Sequence, residues 1–371
     1  MKVALVCPTI GQTRRGYERF IGDLFRELRT RADVTLLKGA GPAAGDEIVV
    51  PHLRRTGILE KATGGRLAYT RYRLEFASFA FAAWPRLAAG RYDLVHFIDP
   101  PLARWFAHGR RMLRSPIALV FTDAGPVPCD AWRYVDRVHC LTPAAHGAAL
   151  RAGTPAERLT MIPVGVDPAQ FRCDEDRTEL RRRHGVPADA FVVLAVTTLN
   201  RHHKRIDHLI EEVARVPGAL LWIDAGLHPD GDPTLLDLAR ARLGARFHHT
   251  HVASGAVAQL YRCADVLVSA SLEESFGMAL VEAATTGLPV IAHDSPHFRW
   301  LLGDCAELLD MASPGTLAAS IARRMDGGAG VPLGGTALGS RLGWHALRED
   351  YLAMYRETLS SRLVAPGGTR Q

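Results

Sequence analysis

The strongest constraint in this sequence is an alternation: short, β-rich apolar runs recur with helical patterns between them through most of the chain. A run such as Lys2-Val-Ala-Leu-Val-Cys7 has no polar face, so it must be covered on both sides, as strands of parallel sheets are. In the first half the runs are Val3–Cys7, Val34–Leu37, Leu94–Ile98, Ile117–Phe121 and Val138–Leu141. In the second they are Phe191–Val196, Leu220–Asp224, Val266–Ser269 and Val290–Ala292. Helical spacing fills the intervals. Tyr17–Leu28 sets Phe20, Leu24 and Leu28 on one face, and Ile206–Val216, Leu235–Leu243, Ala256–Cys263 and Gly277–Thr285 also read as helices. Serial strand–helix units of this kind fold as α/β domains with parallel sheets.

A chain of 371 residues is long for one core, and two domains are expected. Pro and Gly in Ile162-Pro-Val-Gly-Val-Asp-Pro168 break regular structure, which places the division near 170: an N-terminal domain over 1–170 and a second over 171–343. The Gly-rich Gly327–Gly335 stretch is expected to let the chain cross back. A closing segment, 344–371, then reads as a helix returning to the first domain, with Leu347, Tyr351, Met354, Tyr355 and Leu359 spaced for burial. Apolar runs such as Phe76–Pro85 are too short to span a bilayer, and the N-terminus lacks the zones of a signal peptide. A cytoplasmic protein is expected, with its six cysteines as reduced thiols.

The net charge of +6 suits an anionic partner: nucleotide phosphate, nucleic acid or a membrane face. The basic excess is diffuse and no recognition motif accompanies it, so nucleic acid is set aside. Only Lys2, Lys38, Lys61 and Lys204 are lysines, which makes a Lys at a motif position informative. Between Arg54 and Arg91, arginines interleave with Tyr69, Tyr72, Phe76, Phe79, Phe81 and Trp84. Such a segment is either a membrane-surface or lipid-acceptor helix or merely a buried helix with basic flanks, and the buried reading is favoured.

The segment that carries chemistry is Ser271-Leu-Glu-Glu-Ser-Phe-Gly-Met-Ala-Leu-Val-Glu-Ala283, directly after an apolar strand. A helix opening around Phe276 would aim free backbone N–H groups and its dipole at a phosphate, and Gly277 would let the ligand approach closely. Glu282 follows Glu274 by eight positions, roughly 12 Å of helix, a spacing that can set one carboxylate near each end of a nucleotide-sugar. An amphipathic helix with an acidic first turn would read the same.

The order Glu274-Ser-Phe-Gly277, Glu282-Ala-Ala-Thr-Thr-Gly287 and Leu288-Pro-Val290 resembles the E-x7-E region of the retaining family-4 glycosyltransferases. Met161-Ile-Pro-Val-Gly-Val-Asp167 resembles their linker, with Val164 where Asn is usual, and Leu199-Asn-Arg-His-His-Lys-Arg205 their phosphate-binding segment. The resemblance implies a GT-B fold: two Rossmann-like domains with a donor cleft between them. It implies that Lys204 neutralises the donor diphosphate, Glu274 contacts the transferred sugar and Glu282 holds the ribose. Ser275, Phe276 and Gly277 would supply backbone N–H groups, and Gly16 would lie near the phosphates. The family's phosphate-binding Arg is absent, so Arg201 or Arg205 is expected to substitute.

Asp123 stands where the family commonly has a His. With Glu18 and His96 it makes up the candidate acceptor or sugar contacts, although His96 reads better as a core histidine. His202, His203, His248, His249 and His251 lack metal-ligand spacing, and the resemblance implies no metal and no cofactor beyond the nucleotide-sugar. Acceptors would be sugars, lipid-linked compounds or natural products, with peripheral contact at the inner membrane face. Retention would use the leaving phosphate to take the acceptor proton. A dinucleotide oxidoreductase is disfavoured, because Pro8-Thr-Ile-Gly-Gln-Thr-Arg-Arg-Gly16 lacks G-x-G-x-x-G and no acid ends the run at Leu37. A non-catalytic nucleotide-sugar-binding protein is the alternative.

Overall fold

A computed structural model describes residues 1–13, 16–54, 67–125, 129–226, 231–328 and 335–364. Residues 14 and 15, just before Gly16, lie outside them, as do residues 329–334 of the Gly-rich stretch. The chain divides into one unit of Met1–Gly165 with Trp344–Gln371, and another of Val166–Gly343.

The first unit holds a seven-stranded sheet in the order β3-β2-β1-β4-β5-β6-β7. Its strands are β1 (Lys2–Cys7), β2 (Asp33–Lys38), β3 (Glu47–Val49), β4 (Leu94–Phe97), β5 (Ala118–Asp123), β6 (Arg137–Cys140) and β7 (Leu159–Met161), all paired in parallel. Helices α1 (Gly16–Leu28), α2 (Ala68–Gly90), α3 (Pro100–Met112) and α4 (Pro143–Arg151) connect them. Both sheet faces are covered, which is why Val3–Cys7 is fully buried.

The second unit holds a six-stranded parallel sheet, β10-β9-β8-β11-β12-β13. The strands are β8 (Phe191–Val196), β9 (Ala219–Asp224), β10 (Phe247–Thr250), β11 (Val266–Val268), β12 (Val290–His293) and β13 (Glu307–Leu309). Its helices are α5 (Arg177–Arg183), α6 (Ile206–Ala214), α7 (Thr234–Leu243), α8 (Val257–Cys263), α9 (Met278–Thr285), α10 (Pro296–Leu302), α11 (Thr316–Met325) and α12 (Gly335–Leu342). Each sheet reverses its order once, between β1 and β4 in the first and between β8 and β11 in the second. Loops leaving neighbouring strands at such a reversal diverge and open a crevice at the carboxyl ends, where ligands of open α/β sheets sit.

The division falls at Gly165/Val166 and not at 170. Val166 already belongs to the second unit, because its N–H donates to the Leu342 carbonyl at 2.7 Å and it bridges Gly343. The chain crosses back between Gly343 and Trp344, not within Gly327–Gly335, since α12 still packs against α9. Gly165 is required by close approach: a Cβ there would sit 2.3 Å from the Trp344 indole.

The last helix, α13 (Trp344–Val364), is fastened to the first sheet by a directional chain of buried groups. His139 Nε2 lies 2.8 Å from the Ile162 carbonyl, which can only accept, so Nε2 carries the proton and Nδ1 of the neutral ring accepts. Thr122 Oγ1, 2.9 Å from that Nδ1, donates to it and accepts in turn from His96 Nε2 at 2.6 Å. His96 Nδ1 then accepts the Tyr355 hydroxyl at 2.7 Å, and Tyr351 donates to the Pro163 carbonyl at 2.9 Å. This corrects the expectation of His96 as a ligand contact: it is fully buried and both ring nitrogens are engaged in the core.

Burial lowers the pKa of both histidines, His96 well below its ordinary value and His139 to about 4. Both are neutral in the folded protein where an unfolded His (about 6.5) would already bind a proton, so stability falls as pH drops from about 6.5 towards 4. His139→Asn is expected to reduce the pH slope of the unfolding free energy by about one proton over that window. An unchanged slope, measured by denaturant titration at several pH values, would contradict this account of the chain.

Candidate functional site

The best-built site lies at the β8/β11 reversal. After β8 the chain makes a tight turn from Asn200 to Ile206, pinned at both ends. Asn200 Oδ1 accepts the His203 N–H at 2.6 Å, and the Asn200 carbonyl accepts the Ile206 N–H at 3.2 Å. Arg205 adopts a left-handed conformation (φ 49°) to start α6, an uncommon one for a non-glycine residue. The turn presents Lys204 to the loop after β11. There Lys204 Nζ donates to both oxygens of Glu274 at 2.6 Å, and Ser271 Oγ donates to Glu274 Oε1 at 2.8 Å. The pair is partly open, with Lys204 23% and Glu274 10% exposed, so a ligand can compete for it.

The same loop ends at Gly277, whose φ of 101° favours glycine, and α9 starts at Met278, a little later than expected. The glycine cap puts no side chain over the first helical N–H groups, an arrangement found at anion-binding helix starts. Phe276 is buried, and its carbonyl accepts from His297 Nε2 at 2.9 Å, so α10 braces the loop from behind. Ser275 lies in the loop half-buried. Glu282, on the second turn of α9, is only 3% exposed, and its Oε2 accepts the Tyr261 hydroxyl from α8 at 2.8 Å.

Neither arginine expected to replace the missing phosphate contact is held towards Lys204. Arg201 pairs with Asp232 at 2.6 Å and donates to Thr234 Oγ1 at 2.9 Å. Arg205 turns its guanidinium to the Met311 carbonyl at 2.6 Å, where it ties the turn to the end of β13. Lys204 is the cation that the turn aims at Glu274.

In the first unit Gly16 is exposed at the start of α1, and Glu18 accepts the Thr13 hydroxyl at 2.8 Å. Asp123 ends β5, the carboxyl end of its strand. Its oxygens accept from Trp132 Nε1 at 2.8 Å and the Gly125 N–H at 3.1 Å, and burial raises its pKa to about 6. No sequence pattern marks Asn200, Ser271, Tyr261 or His297 as part of the site. Each acts by holding another residue, and no spacing in the sequence marks such a role.

Residues 190–326 match the family described as Glycosyl transferases group 1, and residues 14–170 match Glycosyltransferase Family 4. The chain is 31% identical over 232 residues to a D-inositol 3-phosphate glycosyltransferase of Acidothermus cellulolyticus, covering 57% of this chain and 51% of that protein. It thus spans about half the length of the curated relatives it matches. Among solved structures, a sucrose-phosphate synthase from Thermosynechococcus elongatus superposes with TM-score 0.77 at 18% identity, over 97% of this chain and 99% of that one. HepE from Anabaena, solved in complex with UDP-glucose, gives 0.75 at 21%, over 97% and 100%. The fold is GT-B, two Rossmann-like α/β domains.

Proposed function

We propose that this chain, which belongs to the family-4-like glycosyltransferases, moves a sugar from a nucleotide-diphosphate donor to an acceptor hydroxyl with retention of anomeric configuration. The observation that carries the reading is the Lys204–Glu274 pair, set at a strand-order reversal beside the glycine-capped start of α9. In this reading the donor exchanges the pair for itself. Lys204 moves to the diphosphate, the first N–H groups of α9 share its charge, and Glu274, freed but still held by Ser271, accepts hydroxyls of the transferred sugar.

Glu282 takes the ribose hydroxyls. The departing phosphate accepts the proton of the attacking acceptor hydroxyl on the same face, so positioning and charge stabilisation replace a dedicated base. Such a cycle has no step that calls for a metal. UDP-glucose, the ligand of HepE, is the first donor to try, and an inositol phosphate, named for the curated relatives, the first acceptor.

A thermal-shift screen of UDP-, GDP- and ADP-sugars, followed by product analysis by NMR in excess chelator, tests the proposal. One nucleotide class should raise the melting temperature by mass action. Its sugar should then appear on an acceptor or in water with the donor's anomeric configuration. Donor binding without transfer or hydrolysis would favour the non-catalytic alternative. An inverted product would overturn retention, and activity restored only by a divalent ion would overturn metal independence.

A further inference from the structure

The outer layer of the first unit carries a surface that neither the fold nor the donor site uses. Helices α2 and α3 both connect parallel strands, so they run in the same direction and pack side by side. They meet where Trp84 lies against Gly109: a Cβ on Gly109 would fall 1.9 Å from the indole nitrogen, and Trp84 also packs edge-on against Phe106 at 6.1 Å. Phe81 is one turn before Trp84 on α2, and Trp105 is one turn before Gly109 on α3. Both therefore flank the same seam at the same level, on its solvent side. Met112 lies three residues beyond Gly109 on the same stripe, and Leu74 two turns before Phe81. Phe81 is 84% exposed, Met112 69%, Leu113 56% and Trp105 41%, far more apolar surface than scattered single residues present.

The exposed charges carried by these two helices are of one sign. Arg73, Arg104, Arg111 and Arg114 are exposed on or beside these helices. The acidic residues between Leu67 and Pro116 are Glu75, Asp93 and Asp99. Glu75 and Asp99 are buried, and Asp93 is occupied at the start of β4 by the Lys2 N–H at 2.7 Å. Bulky apolar tips and a Trp set among arginines, with no carboxylate on the outer stripes, match the two requirements of an anionic bilayer surface: apolar groups to insert at the headgroup boundary and cations to meet lipid phosphates. Among the described residues no helix is long and apolar enough to cross a membrane, so the contact would lie in the interface.

We infer that the α2/α3 seam, led by Phe81 and Trp105 and ringed by Arg73, Arg104, Arg111 and Arg114, docks the protein on anionic phospholipid membranes. The inference holds whichever sugar the donor site accepts. Vesicle flotation tests it, using phosphatidylcholine alone and phosphatidylcholine with about 30% phosphatidylglycerol. The full chain should float with the anionic vesicles and release at high salt. Phe81→Ser/Trp105→Ser and Arg104→Glu/Arg111→Glu should each weaken partition by about tenfold or more. Both double variants change exposed side chains, so melting temperature and donor binding should stay as in the wild type and separate this result from failure of the donor reading. Equal flotation with neutral and anionic vesicles, no flotation, or wild-type partition by both variants would overturn the inference. A concentration-dependent dimer that Phe81→Ser/Trp105→Ser abolishes would assign the seam to a second copy of the chain and overturn it equally.

Discussion

Lys204→Ala is expected to lower turnover by about 10² to 10³, with a much smaller loss of donor affinity. As the glycosidic bond breaks, negative charge accumulates on the departing diphosphate, so a preorganised ammonium gains more in the transition state than in the ground state. The geometry adds a competing effect. Lys204 neutralises Glu274, which is only 10% exposed, and deleting the cation leaves that carboxylate partly buried without its partner. Lys204→Ala/Glu274→Gln separates the two, because it restores charge balance without restoring the cation. Turnover in the double variant should stay well below that of Glu274→Gln alone, which carries only the loss of the sugar contact, while melting temperature recovers.

Lys204→Arg should rescue only in part, since a planar fork does not reproduce a compact ammonium. Arg201 and Arg205 serve as built-in controls. Arg201 is held by Asp232 and Thr234, so Arg201→Ala should leave turnover within a few-fold. Arg205→Ala should act on stability through the lost Met311 carbonyl bond. Steady-state kinetics with a saturating donor decides the matter: a fully active Lys204→Ala enzyme would remove the diphosphate clamp from the mechanism.

The interior of both sheets is legible in the sequence, and their margins are not. Every apolar run that marks a strand, from Val3–Cys7 to Val290–Ala292, lies inside a sheet, where burial on both faces demands a continuous apolar stretch. The four unmarked strands, Glu47–Val49, Leu159–Met161, Phe247–Thr250 and Glu307–Leu309, are the four sheet edges. An edge strand pairs on one side only, can be three residues long, and keeps polar residues such as Glu307, so composition does not distinguish it from a loop. Helix α2 was legible in part. Its Phe76, Phe79 and Trp84 form a buried face as favoured, but the interleaving also placed Phe81 on the outside.

At the site, sequence order put Lys204 and Glu274 in one motif set without showing that they touch, because 70 positions separate them. Their meeting depends on β8 and β11 being neighbours, a property of topology. The arginine assignments diverged for a similar reason. A guanidinium near a phosphate-binding turn goes to the strongest local acceptor, and Asp232 and the Met311 carbonyl come from segments that no local spacing links to the turn.

Glu282→Ala should act on the opposite side of the kinetic ledger from Lys204→Ala. A carboxylate gripping ribose hydroxyls contacts a part of the donor whose charge does not change during transfer, so its contribution is the same in ground and transition states. Hydrogen bonds to a charged group contribute about 1.5–3 kcal/mol, which predicts a roughly ten- to hundredfold rise in donor Kd with turnover at saturating donor within a few-fold.

The Tyr261 hydroxyl, 2.8 Å from Oε2, fixes the orientation of the carboxylate, so Tyr261→Phe should weaken donor binding in the same sense but less. Glu282→Ala also leaves that buried hydroxyl without its acceptor, at a cost of about 1–3 kcal/mol in stability. Glu282→Ala/Tyr261→Phe removes both groups together. It should regain part of the melting temperature while donor affinity stays as low as in Glu282→Ala, which distinguishes lost recognition from a damaged fold. Calorimetric titration with donor, beside saturated turnover, reads both quantities. Unchanged donor affinity with abolished turnover would move Glu282 from ribose binding to the chemical step.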